Sequence, residues 1–111
     1  MPVDPIDARA EDLRRWREQF SDAIPIAQLR PRHPGTCVGV VYKIRLVPGR
    51  GLEVAVEDGT GRVTAVWTGR THLPGVELGG GLQLTGTVAE DADGRRSILN
   101  PDWVPVAEPY R

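Results

Sequence analysis

The sequence predicts a mainly β domain: five short strands closing into a small Greek-key barrel, preceded by an N-terminal α-helix. Three observations predict it. Thirteen glycines and ten prolines punctuate 111 residues, so few uninterrupted stretches remain for a helical bundle. After position 35 the apolar residues change from helical spacing to alternation, with turn signals at regular intervals. Two segments, Cys37-Val38-Gly39-Val40-Val41 and Leu84-Thr85-Gly86-Thr87-Val88, each place an apolar residue two positions either side of a central glycine. Glycine weakens a strand interior unless a bend or a close backbone approach requires it, and barrel corners require both.

The elements follow in order. Residues 4–20 read as a helix: Asp4 can cap it, Pro5 suits the first helical position, and Asp7 places negative charge in the first turn. Ile6, Leu13, Trp16 and Phe20 form one apolar stripe, which fits docking on the barrel or, alternatively, a partner. Residues 21–34 carry Pro25, Pro31 and Pro34 and read as a linker or an entry strand, a Pro-rich connector and not a helix interior. Cys37 to Val47 is a long, nearly continuous apolar strand, interrupted by Gly39, Lys43 and Arg45, and apolar on both faces as a strand shared by two halves of a barrel would be. Pro48-Gly49-Arg50-Gly51 is a turn, and Leu52 to Glu57 alternates as a half-buried strand with Leu52, Val54 and Val56 inward. Asp58-Gly59-Thr60-Gly61 is a hairpin loop, and Arg62 to Thr68 is the third strand. Residues 71–80 form a loop with room for one helical turn. Leu82 to Glu90 and Arg95 to Leu99 are the last two strands, and Asn100-Pro101 ends the fifth. The organisation expected is helix and connector over 1–34, barrel over 35–104, and tail over 105–111, with Trp103 pinning the tail to the barrel.

Composition narrows the function. Fourteen cations face fifteen anions, so no global basic excess marks a nucleic-acid binder, and any basic surface must be local. The single cysteine, Cys37, excludes an internal disulfide; in an apolar strand it reads as an inert, buried thiol. Its setting is expected to be reducing and cytoplasmic. No apolar run approaches the ~18–20 residues of a membrane span. His33 and His72 lack partners at metal-ligand spacing, no phosphate-cradling motif occurs, and no cofactor is expected. The expected protein is a binding module, not an enzyme.

Residues 36–103 resemble the OB-fold nucleic-acid-binding superfamily. The likeness rests on Val38-Gly39-Val40-Val41, on Val56-Glu57-Asp58-Gly59-Thr60-Gly61-Arg62-Val63-Thr64-Ala65-Val66-Trp67, on Leu82-Gln83-Leu84-Thr85-Gly86-Thr87-Val88, and on Asn100-Pro101. It is similar to the wedge domain of the helicase that remodels stalled replication forks, to anticodon-binding OB domains, and to small stand-alone OB proteins of high-GC bacteria. The resemblance implies a groove on the outer faces of strands two and three, flanked by the loops joining strands one to two and four to five. Arg45, Arg50, Arg62, Arg70, Arg95 and Arg96 lie at strand ends and loops where such a groove has its rims, with His72 beside Arg70. Tyr42 and Trp67 are the candidate stacking aromatics; alternatively Tyr42 covers the barrel surface under the N-terminal helix and Trp67 packs against a loop or the helix. Against these, Glu53 and Glu57 are expected to face outward on strand two and to repel phosphate, and residues 31–111 hold nine cations and nine anions. The expected partner is single-stranded DNA or RNA, bound weakly and salt-sensitively, in DNA repair or RNA handling. The alternative is a protein-interaction adaptor, or a homodimer through the helix stripe or an edge strand.

Overall fold

A computed structural model describes residues 5–108. Helix α1 (Pro5–Arg17) is followed by a 3₁₀ turn, η1 (Ile26–Gln28). Six strands follow: β1 (Pro34–Val47), β2 (Gly51–Glu57), β3 (Arg62–Thr68), β4 (Gly81–Glu90), β5 (Arg96–Leu99) and β6 (Asp102–Val106). β1 to β5 close in the order β1-β2-β3-β5-β4, with β4 returning to β1, and β6 flanks β4. Every pairing is antiparallel except β3 with β5.

Closure depends on β1, which serves two neighbours. Pro34–Val40 pairs with β4 and Val40–Val47 with β2. Gly39 sits at the changeover. A Cβ there would lie 2.9 Å from the Glu57 carbonyl oxygen and 3.0 Å from Val56 Cβ. At Gly86 it would lie 2.6 Å from Ile98 Cγ2. Both central glycines therefore permit close approach across the barrel wall. Leu52, Val54 and Val56 point inward as expected and meet Val63, Ala65, Leu82, Leu84, Val88 and Ile98 in the main core.

Helix α1 ends at Arg17 instead of residue 20. Its last residues tighten into three-residue turns, with Gln19 N–H donating to the Trp16 carbonyl and Phe20 N–H to that of Arg17. The cap expected at Asp4 lies outside the described residues, as do the side chains of Pro5, Ile6 and Asp7. Leu13 and Trp16 are buried with Ala23, Val38 and Val40, and Phe20 packs on them. Leu13, Trp16 and Phe20 of the stripe are thus packed on the outer face of β1. Trp16 Nε1 also donates to the Ala107 carbonyl at 3.0 Å.

Two expectations are corrected. The segment over 71–80 contains no helical turn. Leu73 and Val76 bracket a turn with Pro74 and Gly75 (φ +80°) at its centre, and Glu77 and Gly80 bracket another around Gly79 (φ +81°). Buried Leu73 plugs the core from this loop. Residues 102–106 form β6, where the prolines had suggested an irregular end. β6 is an edge strand, which tolerates Pro105 opposite Leu82. Trp103 lies half-buried against the core and holds this segment to the barrel.

Candidate nucleic-acid interface

The outer face of β1–β3 is built around Tyr42. The β1–β2 register slips between Val41 and Lys43, leaving Tyr42 as the extra residue of a β-bulge. The residue stays 37% exposed. The Arg62 guanidinium lies 5.3 Å from the ring centroid, a cation–π contact. Burial raises the phenol pKa, Arg62 opposes the shift and Glu57 adds to it, so the hydroxyl stays protonated and able to donate.

Two hollows share Tyr42, Arg62 and Thr64. One, of about 560 Å³, runs past Thr60, Gly61 and Ala27 to Gly94, Arg95 and Arg96 of the β4–β5 loop. The other, of about 290 Å³, runs toward the β1–β2 hairpin past Lys43, Arg45, Glu53 and Ala55. Together they form one track across the barrel face with Tyr42 at its middle.

The carboxylates of β2 point outward as expected, but arginines hold both. Glu53 lies between Arg45 Nε (3.9 Å) and Arg50 Nε (3.4 Å). Glu57, in a residue only 8% exposed, bonds Arg9 of α1 and lies 3.6 Å from Arg62 Nε. The repulsive acidic face expected from β2 is therefore neutralised, in part by a helix residue distant in sequence. Lys43 and Arg95 take part in no ion pair among the described residues, and each lines one arm of the track.

The structure gathers Tyr42, Arg45, Arg62, Arg95 and Arg96 on this track. Arg96 is half-buried and donates to the Ile26 carbonyl, so it braces η1 as well as lining the groove. Arg50 sits at the hairpin tip and reaches the track only through Glu53. Arg70 lines separate clefts, one beside Asn100 and Trp103 and one beside Leu46 and Gly51. His72 is exposed in the β3–β4 loop and lines neither arm. The stacking role for Trp67 is overturned. Its ring is 3% exposed in the core with Val63 and Ala65, and its Nε1 donates to the Pro101 carbonyl at 3.1 Å.

Lys43 and Thr64 escaped the sequence reading. Strict alternation sets Lys43 opposite Tyr42, and only the bulge brings both to one face. Thr64 lies on β3 opposite Ala55, on the outward set. The Asp58–Gly61 loop also differs from a free hairpin tip. Asp58 is fully buried, and its carboxylate accepts from Ile26 N–H, Thr60 N–H, Gly61 N–H and the Thr60 hydroxyl. Thr60 Oγ1 accepts in turn from Ala27 N–H. Gly59 (φ +86°) packs so closely on α1 that a Cβ would lie 2.2 Å from the Ala10 carbonyl oxygen. Thr60 and Gly61 of this hydrogen-bonded loop line the larger hollow.

Cys37 is buried in the core, and its thiol is pushed up to about 12 by desolvation, then by Asp58. Among the described residues no three metal-binding side chains converge, and no helix is long and apolar enough to cross a membrane.

No protein-family model matches the sequence, and no curated protein matches it. Solved structures do. A replication protein A heterotrimer bound to single-stranded DNA is similar over 68% of this chain and 58% of that one, at 25% identity with a TM-score of 0.54. The HINa domain of Ifi202, in complex with 20-base-pair double-stranded DNA, is similar over 81% of this chain and 50% of that one, at 15% identity with a TM-score of 0.60. An OB domain from Methanosarcina mazei is similar over 78% of this chain and 84% of that one, at 16% identity with a TM-score of 0.61. The chain thus spans half to three-fifths of the first two neighbours. The β1-β2-β3-β5-β4 ring, closed through a shared β1, and these likenesses make the chain an OB-fold domain.

Proposed function

We propose that this domain binds single-stranded nucleic acid non-catalytically along the track centred on Tyr42. One observation carries the reading: an exposed aromatic residue at the middle of a groove whose two arms each present a cation, Lys43 and Arg95, that forms no ion pair among the described residues. A base stacks on the ring while the flanking cations hold phosphates, the division of labour that sequence-tolerant single-strand binding needs. The neighbours described with single- and double-stranded DNA support a nucleic-acid ligand. DNA repair and RNA handling both fit a groove with no base-reading side chains assigned.

The test is fluorescence anisotropy with labelled single-stranded DNA and RNA at about 50 and 200 mM salt. If Lys43, Arg45, Arg62 and Arg95 each neutralise a phosphate, affinity falls about 50-fold between those salts, from a slope near −0.7 per contact. Absence of binding at the lower salt refutes the proposal. A second reading, a protein-docking domain, is favoured by Ile44, Leu46 and Leu78, which leave apolar side chains exposed.

A further inference from the structure

Both carboxylates beside the track bridge two arginines, but in different settings. Glu57 is buried and, although Arg62 of the track lies 3.6 Å away, it also bonds Arg9 of α1, which lines neither arm, so its pairing ties the helix to the barrel. Glu53 is different. Its side chain is 18% exposed and lines the hairpin arm, while Arg45 and Arg50 are 57% and 59% exposed. Two guanidinium groups approach its two oxygens separately, Arg45 at Oε1 and Arg50 at Oε2. That is how two arginines share one phosphate.

We propose that Glu53 is the affinity-limiting residue of the groove: it occupies Arg45 and Arg50 as an internal substitute for a phosphate, and a nucleic acid must displace it. The inference rests on the single-strand reading of the same track. Both arginines are solvent-exposed and meet Glu53 at 3.9 and 3.4 Å, beyond close hydrogen-bond distance, so they can transfer from carboxylate to phosphate without disturbing the barrel. The displaced carboxylate then remains beside the incoming phosphate and repels it. With Glu53 present the cluster carries one net positive charge, and with a neutral isostere it carries two.

Glu53→Gln tests this, with Glu11→Gln as control. Glu11 lies on α1, paired with Arg15, and its loss changes net charge equally at a site lining neither arm. The readout is anisotropy of a labelled oligothymidylate at two salt concentrations, with thermal melting to verify folding. The expected result is a Kd roughly three- to ten-fold lower for Glu53→Gln at low salt, a gap that narrows as salt screens the repulsion. Glu11→Gln leaves Kd unchanged, and adding Arg45→Ala and Arg50→Ala to Glu53→Gln removes the gain. Equal or weaker binding by folded Glu53→Gln, where the wild type binds, overturns the inference and leaves the groove reading standing. An equal gain from Glu11→Gln also overturns it, since net charge alone would then suffice. If neither wild type nor Glu53→Gln binds at low salt, the groove reading falls and the inference falls with it.

Discussion

Asp58→Asn isolates the polar knot that joins α1, η1 and the β2–β3 loop. The substitution keeps the side chain's shape, so packing is nearly constant and only hydrogen-bond polarity changes. In the native protein Oδ2 accepts from Ile26 N–H at 2.9 Å. Oδ1 accepts from Thr60 N–H, Gly61 N–H and the Thr60 hydroxyl at 2.9, 3.2 and 2.6 Å. An asparagine has one acceptor oxygen and one NH₂ group. Placed toward Ile26, the NH₂ meets a buried backbone donor; placed toward Thr60 and Gly61, it meets two. The better orientation still loses one charge-assisted bond and leaves Ile26 N–H unpaired, a cost of about 2–3 kcal/mol. Arg17, whose Nε is 4.0 Å from Oδ2, loses its counter-charge as well. For a domain near 100 residues each kcal/mol shifts Tm by about 4 °C, so Tm should fall by roughly 10 °C. Thermal unfolding followed by far-UV circular dichroism measures it. A Tm within about 2 °C of wild type would refute the claim that this carboxylate ties the three segments together.

Further outcomes follow from the groove and the core. Tyr42→Ala should weaken oligonucleotide binding by about 5- to 150-fold, the range for losing one stacked base, while Tyr42→Phe keeps the ring and binds almost as wild type. Anisotropy titration separates the two. Arg95→Ala should lower the salt slope by about 0.7 with Tm unchanged, whereas Arg96→Ala should lower Tm because it removes the donor to the Ile26 carbonyl. Cys37 should resist thiol reagents at pH 8 until urea opens the barrel, since its pKa is pushed up to about 12 and the thiolate is the reactive form. The raised value also sets a pH dependence. Above its ordinary value near 9 the unfolded chain releases this proton and the folded one keeps it, so this contribution to stability is lost as pH rises toward 12. Urea unfolding at pH 9 and 10 should show a drop that Cys37→Ala lacks.

Period-two alternation made β2 and β3 legible to within a residue, because their inward sets are unbroken and their loops carry glycine. Helix docking was legible from Leu13, Trp16 and Phe20. β6 was not, because its prolines read as breakers until β4 supplies an edge that tolerates them. At the site, Tyr42 was found by residue type and alternation, but Lys43 was hidden because a bulge has no signature in a run of apolar residues. Trp67 shows the reverse case: alternation put it on the same face as Val63 and Ala65, and that face proved to be the core. The neutralised strand-two face was out of reach, since Arg9 and Glu57 lie 48 positions apart and only the docked helix joins them.

The bulge at Tyr42 separates two codes written on one strand. Before it, the alternation of β1 is bound to the core, where a changed residue costs packing. Positions 42 and 43 are released from that frame and turned together toward the solvent groove. New side chains there can alter what the domain grips while the hydrophobic pattern that closes the barrel stays as it is. A designer seeking a different ligand on this scaffold would vary this pair first.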